Sequence, residues 1–144
     1  MCPIRRIQKE DLKTVKKLSD ASLPETYSMG LLKKLVNAWP EACLATESQD
    51  GVIGFVIGRK DGTKSRIVLI CVDTEFRKKG VGSELLNRYL GIMKRQRFKT
   101  ATLLVEVSNQ QAIDFYLHRR FKIKERKPHI YKNGSDAYLM ERAI

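Results

Sequence analysis

The sequence predicts a mixed α/β (α+β) fold, a sheet with helices on both faces, in a single domain over residues 1–144. Three patterns predict it: apolar residues at helical spacing in four segments, strand-like apolar runs between them, and glycine-bearing turns that separate the runs. Their order reads β-α-α-β-β-β-α-β-α-β-β, the pattern of a mixed sheet.

Within Glu10–Leu18, residues Leu12, Val15 and Leu18 lie three apart, as on an amphipathic helix. A turn follows around Ser22-Leu23-Pro24-Glu25. From Met29, the stripe Leu31, Leu32, Leu35, Val36 and Trp39 predicts a second helix, closed by Pro40. The runs Ala42–Thr46, Val52–Arg59 and Arg66–Val72 predict three strands, separated by Gln49-Asp50-Gly51 and Asp61-Gly62. Val81, Leu85, Leu86, Tyr89, Leu90 and Met93 mark a third helix. Ala101–Val107 reads as a strand, Gln110–His118 as a short helix, and Phe121–Arg126 and Ala137–Arg142 as closing strands around an Asn133-Gly134 turn.

With 42% hydrophobic and 31% charged residues, wholesale disorder is excluded. Met1–Leu12 carries five charges and no apolar stretch, so no secretory signal is expected. The longest apolar run, Ile67–Val72, is far too short to cross a membrane. Cys2, Cys43 and Cys71 are odd in number and widely spaced, which argues against a disulfide framework or a metal site and for a cytoplasmic setting. The net charge of +12 has two readings, a lysine-rich solvated surface or attraction to an anion. No specific nucleic-acid signature accompanies it, although a non-specific association with ribosomes stays open.

The chemistry concentrates where an apolar strand, Ile70-Cys71-Val72, runs into the basic loop Arg77-Lys78-Lys79-Gly80-Val81-Gly82-Ser83 and then a helix. First-turn amides of a helix lack intrahelical partners, and the helix dipole favours negative charge there. Glycine at positions 80 and 82 lets an anion approach the backbone closely. Strand, loop and helix together predict a pyrophosphate cradle.

Arg77-x-x-Gly80-x-Gly82 after such a strand resembles the coenzyme A motif of the GNAT superfamily of N-acetyltransferases. Leu23-Pro24-Glu25-x-Tyr27, Gly51-x-Ile53-Gly54-Phe55, Ser108-Asn109-x-x-Ala112-Ile113-x-Phe115-Tyr116 and Asn133-Gly134-x-Asp136-Ala137-x-x-Met140 extend the resemblance across nearly the whole chain. The set is similar to the ribosomal-protein-alanine (RimI) group and its archaeal protein N-terminal acetyltransferase relatives. The resemblance implies a mostly antiparallel sheet splayed between the strands ending at Val72 and Val107. It implies acetyl-CoA as co-substrate with no metal, the backbone of Ile70, Cys71 and Val72 beside the pantetheine arm, and Arg77–Ser83 around the pyrophosphate. Asn109 would bond the cofactor and Tyr116 would lie near its sulfur. The implied reaction carries acetyl to the α-amine of a protein N-terminus, a ribosomal protein among the candidates, by direct attack in a ternary complex; the enzyme is expected as a monomer or homodimer.

Such a transfer needs a neutral amine, stabilisation of a transient oxyanion and a proton for the departing thiolate. The resemblance makes Val72 N–H the candidate for the carbonyl; Tyr116 is the candidate acid, with phenol and thiol pKa values of about 10 and 8.5. Tyr116 also reads as a core aromatic. The RimI group carries a glutamate where Leu104 stands here. Glu106, two residues on and on the same strand face, is the candidate base, or else an edge carboxylate paired with a lysine. Glu25 is a catalytic and acceptor-binding candidate whose other reading is a helix-start carboxylate. Tyr27 and Tyr131 complete the implied peptide-binding loops. Ile130 replaces the first of a tyrosine pair found in relatives, and Arg120 a glycine. An α-amine, with a pKa of about 7.7–8.0, needs less help from a base than a lysine amine near 10.4. Two alternatives stand beside this reading: an acetyltransferase of small amines (polyamine, antibiotic or amino acid), and a non-catalytic acetyl-CoA-binding or ribosome-associated module.

Overall fold

The computed structural model describes residues 2–23 and 25–144, so Pro24 of the predicted turn lies outside the described residues. The chain runs β1 (Ile4–Arg6), α1 (Leu12–Ser22), α2 (Met29–Ala38), β2 (Cys43–Ser48), β3 (Gly51–Asp61), β4 (Lys64–Val72), α3 (Val81–Arg95), β5 (Thr100–Glu106), α4 (Gln110–Leu117), β6 (Lys122–Lys127) and β7 (Ala137–Ala143), which is the predicted order. One sheet contains all seven strands in the order β1-β2-β3-β4-β5-β7-β6. Among the described residues only the β4–β5 pair is parallel.

Two expected features gain detail. α1 is preceded by a 3-10 turn over Lys9–Asp11, so the helical segment starts about where expected; Asp11 caps it, its carboxylate accepting from Gln8 N–H at 2.6 Å and from the Arg5 guanidinium at 2.7 and 3.0 Å. The Arg5 guanidinium holds this carboxyl below the usual range. The predicted Asn133-Gly134 turn is present, with Gly134 N–H donating to Tyr131 O at 2.9 Å, inside a longer loop over residues 128–136. Asp136 closes that loop by accepting from His129 N–H at 3.0 Å and Arg126 Nε at 2.8 Å. Asn133 serves both the turn and the sheet, its Oδ1 accepting from Ser135 N–H at 2.9 Å and its Nδ2 donating to Glu106 at 3.0 Å.

The sheet has a core on each face. α1 and α2 bury Val15, Leu32 and Val36 against Phe55, Ile57, Leu69 and Cys71. α3 and α4 bury Leu85, Leu86, Tyr89, Ile113 and Tyr116 against Val56, Ile67, Leu103 and Val105. Five α3 side chains are buried. Each is worth about 1.5–3 kcal/mol relative to exposure. That outweighs the roughly 1 kcal/mol cost of each glycine, Gly82 and Gly91, inside the helix. Packing therefore fixes where α3 begins.

The β3–β4 ladder pairs Gly58 with Ile67 but Ile57 with Leu69, leaving Val68 as an extra residue on β4. This bulge reverses which face the strand presents. Ser65, bonded to Tyr89, and Ile67 face α3; beyond the bulge Leu69 and Cys71 face α1 and α2, while Ile70 and Val72 take the α3 side. A bulge also bends its strand. Pairing of β4 with β5 covers Ser65–Ile67 against Ala101–Leu103 and stops there. The expected splay between these strands is borne out, and Val68 is its cause.

Gly58 lets Tyr89 cross the sheet: a Cβ there would lie 2.6 Å from Tyr89 Cε2. Tyr89 is fully buried and bonded to the Ser65 hydroxyl, so it has little room to retreat. Gly58→Ala is expected to destabilise the protein by about 1–3 kcal/mol, measured by urea unfolding. An unchanged unfolding midpoint would show that Tyr89 yields freely.

Candidate active site

The gap between β4 and β5 opens a cleft of about 370 Å³. Asp73 N–H donates to Ile53 O at 2.7 Å. Antiparallel ladders alternate, so Val72 opposite Gly54 and Ile70 opposite Val56 turn their N–H and C=O away from β3 and into the gap. Arg77 Nε caps the Val72 carbonyl at 3.1 Å, leaving the Val72 N–H facing the cleft. β4 thus presents a free strand edge there.

At the cleft mouth Lys78 and Gly80 both have positive φ, +62° and +84°. Gly80 is the N-cap of α3, and the first intrahelical bond runs from Glu84 N–H to Gly80 O at 3.0 Å. The amides of Val81, Gly82 and Ser83 consequently have no partner within the helix. A Cβ at Gly80 would meet open space, whereas one at Gly82 would lie 3.4 Å from Phe115 Cζ. The mouth has the bare backbone and positive helix end that a diphosphate requires, so these residues fit the anionic part of a coenzyme A ligand.

Of the predicted cofactor residues, Ile70, Cys71, Val72, Arg77, Lys78, Gly80, Val81, Gly82, Ser83, Asn109 and Tyr116 all line the cleft. Lys79 does not: its ammonium is held over the ring of Phe76, itself a wall residue, 5.6 Å from the centroid. Arg77 lines the mouth as expected, yet its guanidinium braces the loop, bonding Val72 O and Ser22 Oγ at 3.1 and 3.2 Å. Asn109 caps α4 through Ala112 N–H at 3.2 Å. Burial pushes the Cys71 thiol up to about 12, which marks it as a neutral core group.

Tyr116 joins both readings made of it. It is 7% exposed and packs edge-on against Phe115 and Phe121, yet it reaches the cleft wall. Burial, with smaller effects from Cys71 and Tyr131, pushes its phenol well above the ordinary range. Glu106 also lines the cleft, with Leu104 beside it. Its carboxylate accepts from Asn133 Nδ2 at 3.0 Å and Ser108 Oγ at 2.9 Å, and these bonds hold its pKa below the usual range.

Glu25 Oε1 accepts from Lys132 N–H at 2.8 Å, across 107 positions of sequence. That bond ties the α1–α2 loop to the β6–β7 loop. Tyr131 enters the cleft beside it, and burial, then Tyr27, raises its phenol to about 12. Tyr27 packs on the α1–α2 core. The wall residues that sequence reading did not assign to the site include Gln111, Phe115 and Arg119. The α4 spacing carried a signal for two of them, since Gln111 and Phe115 lie four apart on one face.

Glu25→Ala is expected to raise amide hydrogen exchange at Lys132 about tenfold or more, with little change in exchange across the sheet. Unaltered exchange at Lys132 would show that the loop is held by other means.

The Acetyltransferase (GNAT) family matches residues 12–121. N-alpha-acetyltransferase 30 of Schizosaccharomyces pombe is 32% identical over 132 residues, covering 88% of each chain. The structure of Ard1 from Thermoplasma volcanium superposes with a TM-score of 0.96 at 33% identity, covering 99% of this chain and 97% of that one. A NatC complex bound to Gag peptide and CoA shares the fold, with a TM-score of 0.92 at 23% identity over 99% of this chain and 98% of that one. A splayed sheet with free amides at the mouth of α3, matched over most of its length, makes this chain a member of the Acetyltransferase (GNAT) family and an acyltransferase.

Proposed function

We propose that the protein transfers acetyl from acetyl-CoA to the α-amine of a protein N-terminus, by direct attack within a ternary complex. One observation carries this reading: a single cleft runs from the free amides of α3, along the unpaired edge of β4, to the Tyr131 loop that Glu25 ties down. A cleft closed by two loops suits an extended chain end, and the activity named for the Schizosaccharomyces pombe relative supports that acceptor class. A ribosomal-protein-alanine acceptor is the narrower form of the proposal.

Acetyl-CoA brings an activated thioester. The chain's part is to hold and polarise it. The amides of Val81, Gly82 and Ser83 bind the diphosphate, and the β4 edge at Ile70 and Val72 pairs with the pantetheine arm as a neighbouring strand does. Val72 N–H donates toward the thioester carbonyl. Tyr116 stays a neutral phenol throughout the physiological range and gives its proton to the departing sulfur. The same dry surroundings that raise the phenol raise a thiol, so the two remain matched.

Glu106 is a weak base, being held below the ordinary carboxylate range by two hydrogen bonds. This favours an α-amine, which is already partly neutral at pH 7, over a lysine amine, whose deprotonation costs about 3.4 kcal/mol more. Glu106 then positions Asn133 and receives the amine's proton only through water. Glu25 orients the two loops around the acceptor.

Three measurements test the reading. Tyr116→Phe is expected to lower kcat about a hundredfold or more while coenzyme A affinity holds; full turnover would remove Tyr116 as the acid. Gly80→Glu places a carboxylate in the mouth and is expected to weaken coenzyme A about a hundredfold by calorimetry. The amine must lose its proton, so kcat/KM is expected to rise with pH through about 7.7–8.0, and Glu106→Gln is expected to leave that limb in place. A loss of about a hundredfold in kcat/KM on the high-pH plateau with Glu106→Gln would instead make Glu106 the base.

A further inference from the structure

One cation of the cleft wall has no task in the reaction above. Arg119 lies just beyond α4, and its side chain is half-buried in the cleft wall. The guanidinium stacks 3.8 Å from the centroid of the Phe115 ring. Nη1 donates to Phe115 O at 2.9 Å, and Nε reaches Ser83 Oγ at 3.4 Å. Phe115 in turn is wedged against the backbone of Gly82. No carboxylate of the described residues forms an ion pair with Arg119, and its Nη2 makes no hydrogen bond among them.

The group is therefore a fixed, uncompensated cation with one amine free, one helical turn along α3 from the Gly80 mouth. A surface arginine normally loses side-chain entropy when it binds; here stacking and two anchors have already taken that loss. Arg119 borders the Ser83 end of the anion mouth, where the α3 amides already meet the charge of the diphosphate in the reading above. It suits a separate phosphate monoester, a dianion that a guanidinium binds through a charge-assisted bond. A coenzyme A ligand has one such group next to its diphosphate, on the 3′ oxygen of its ribose.

We propose that Arg119 binds the 3′-phosphate and lets the protein discriminate coenzyme A from its 3′-dephospho form. The proposal rests on the donor assigned above. Calorimetry of the whole chain with coenzyme A and with 3′-dephospho-coenzyme A tests it, using the wild type, Arg119→Met and Arg119→Lys. The wild type is expected to favour coenzyme A about tenfold. Arg119→Met should erase the preference by weakening coenzyme A alone, leaving the dephospho ligand within about twofold of its wild-type affinity. Arg119→Lys should keep part of the preference, as a point charge without a planar fork. Equal affinity of the wild type for both ligands overturns the proposal and leaves the donor assignment intact. An equal loss of both ligands in Arg119→Met also overturns it, making Arg119 a brace between α4 and α3. No heat from either ligand with the wild type would overturn the donor assignment and this proposal together.

Discussion

β4 cannot remain paired with both neighbours beyond Ile67, because Val68 is one residue too many for the ladder with β3. β3 retains its partner over the full strand, and β5 loses it. The outcome follows from packing. Phe55, Ile57, Leu69 and Cys71 bury a common face beneath α1 and α2, and β3–β4 pairing extends over eight registered pairs against three with β5. The exposed edge of β4, the cleft and the aim of Val72 N–H all descend from that imbalance.

α3 gives the cleft its charge without a charged side chain. Its apolar stripe pins the helix so that its first turn opens on the end of β4, and Gly80 supplies the left-handed entry. The basic loop serves this arrangement less directly than its composition suggests. Arg77 braces β4 and the α1 end, Lys79 faces an aromatic ring, and the remaining positive field comes from backbone amides, Lys78 and Arg119.

Most of the fold was legible because its signals are local. The Val81–Met93 stripe and the Asp-Gly turns each declare an element within a dozen residues. What the sequence did not show was decided at a distance: Arg5 reaches Glu47, Glu25 accepts from Lys132 N–H, and Asn133 donates to Glu106 from its turn. The same division holds for the site. Glycines 80 and 82 announce an anion mouth in sequence, since their spacing before a helix is itself the feature. Arg119 gives no such warning, because its place beside Ser83 depends on how α4 crosses α3. Leu104 and Glu106 show a middle case, in which strand alternation places the carboxylate on the correct face but says nothing of the two bonds that weaken it as a base.

The three-pair ladder between β4 and β5 divides the sheet into a four-strand half and a three-strand half, with α3 and α4 bridging one side only. A ligand lying in the gap as proposed would add the backbone pairing that the chain itself omits. Donor occupancy and mechanical continuity would then be one variable, with saturation at a hundred times Kd adding about 2.7 kcal/mol against unfolding. A pool depleted of donor would leave these molecules hinged as well as idle, so that supply of the activated acyl group would set how long each one survives proteolysis.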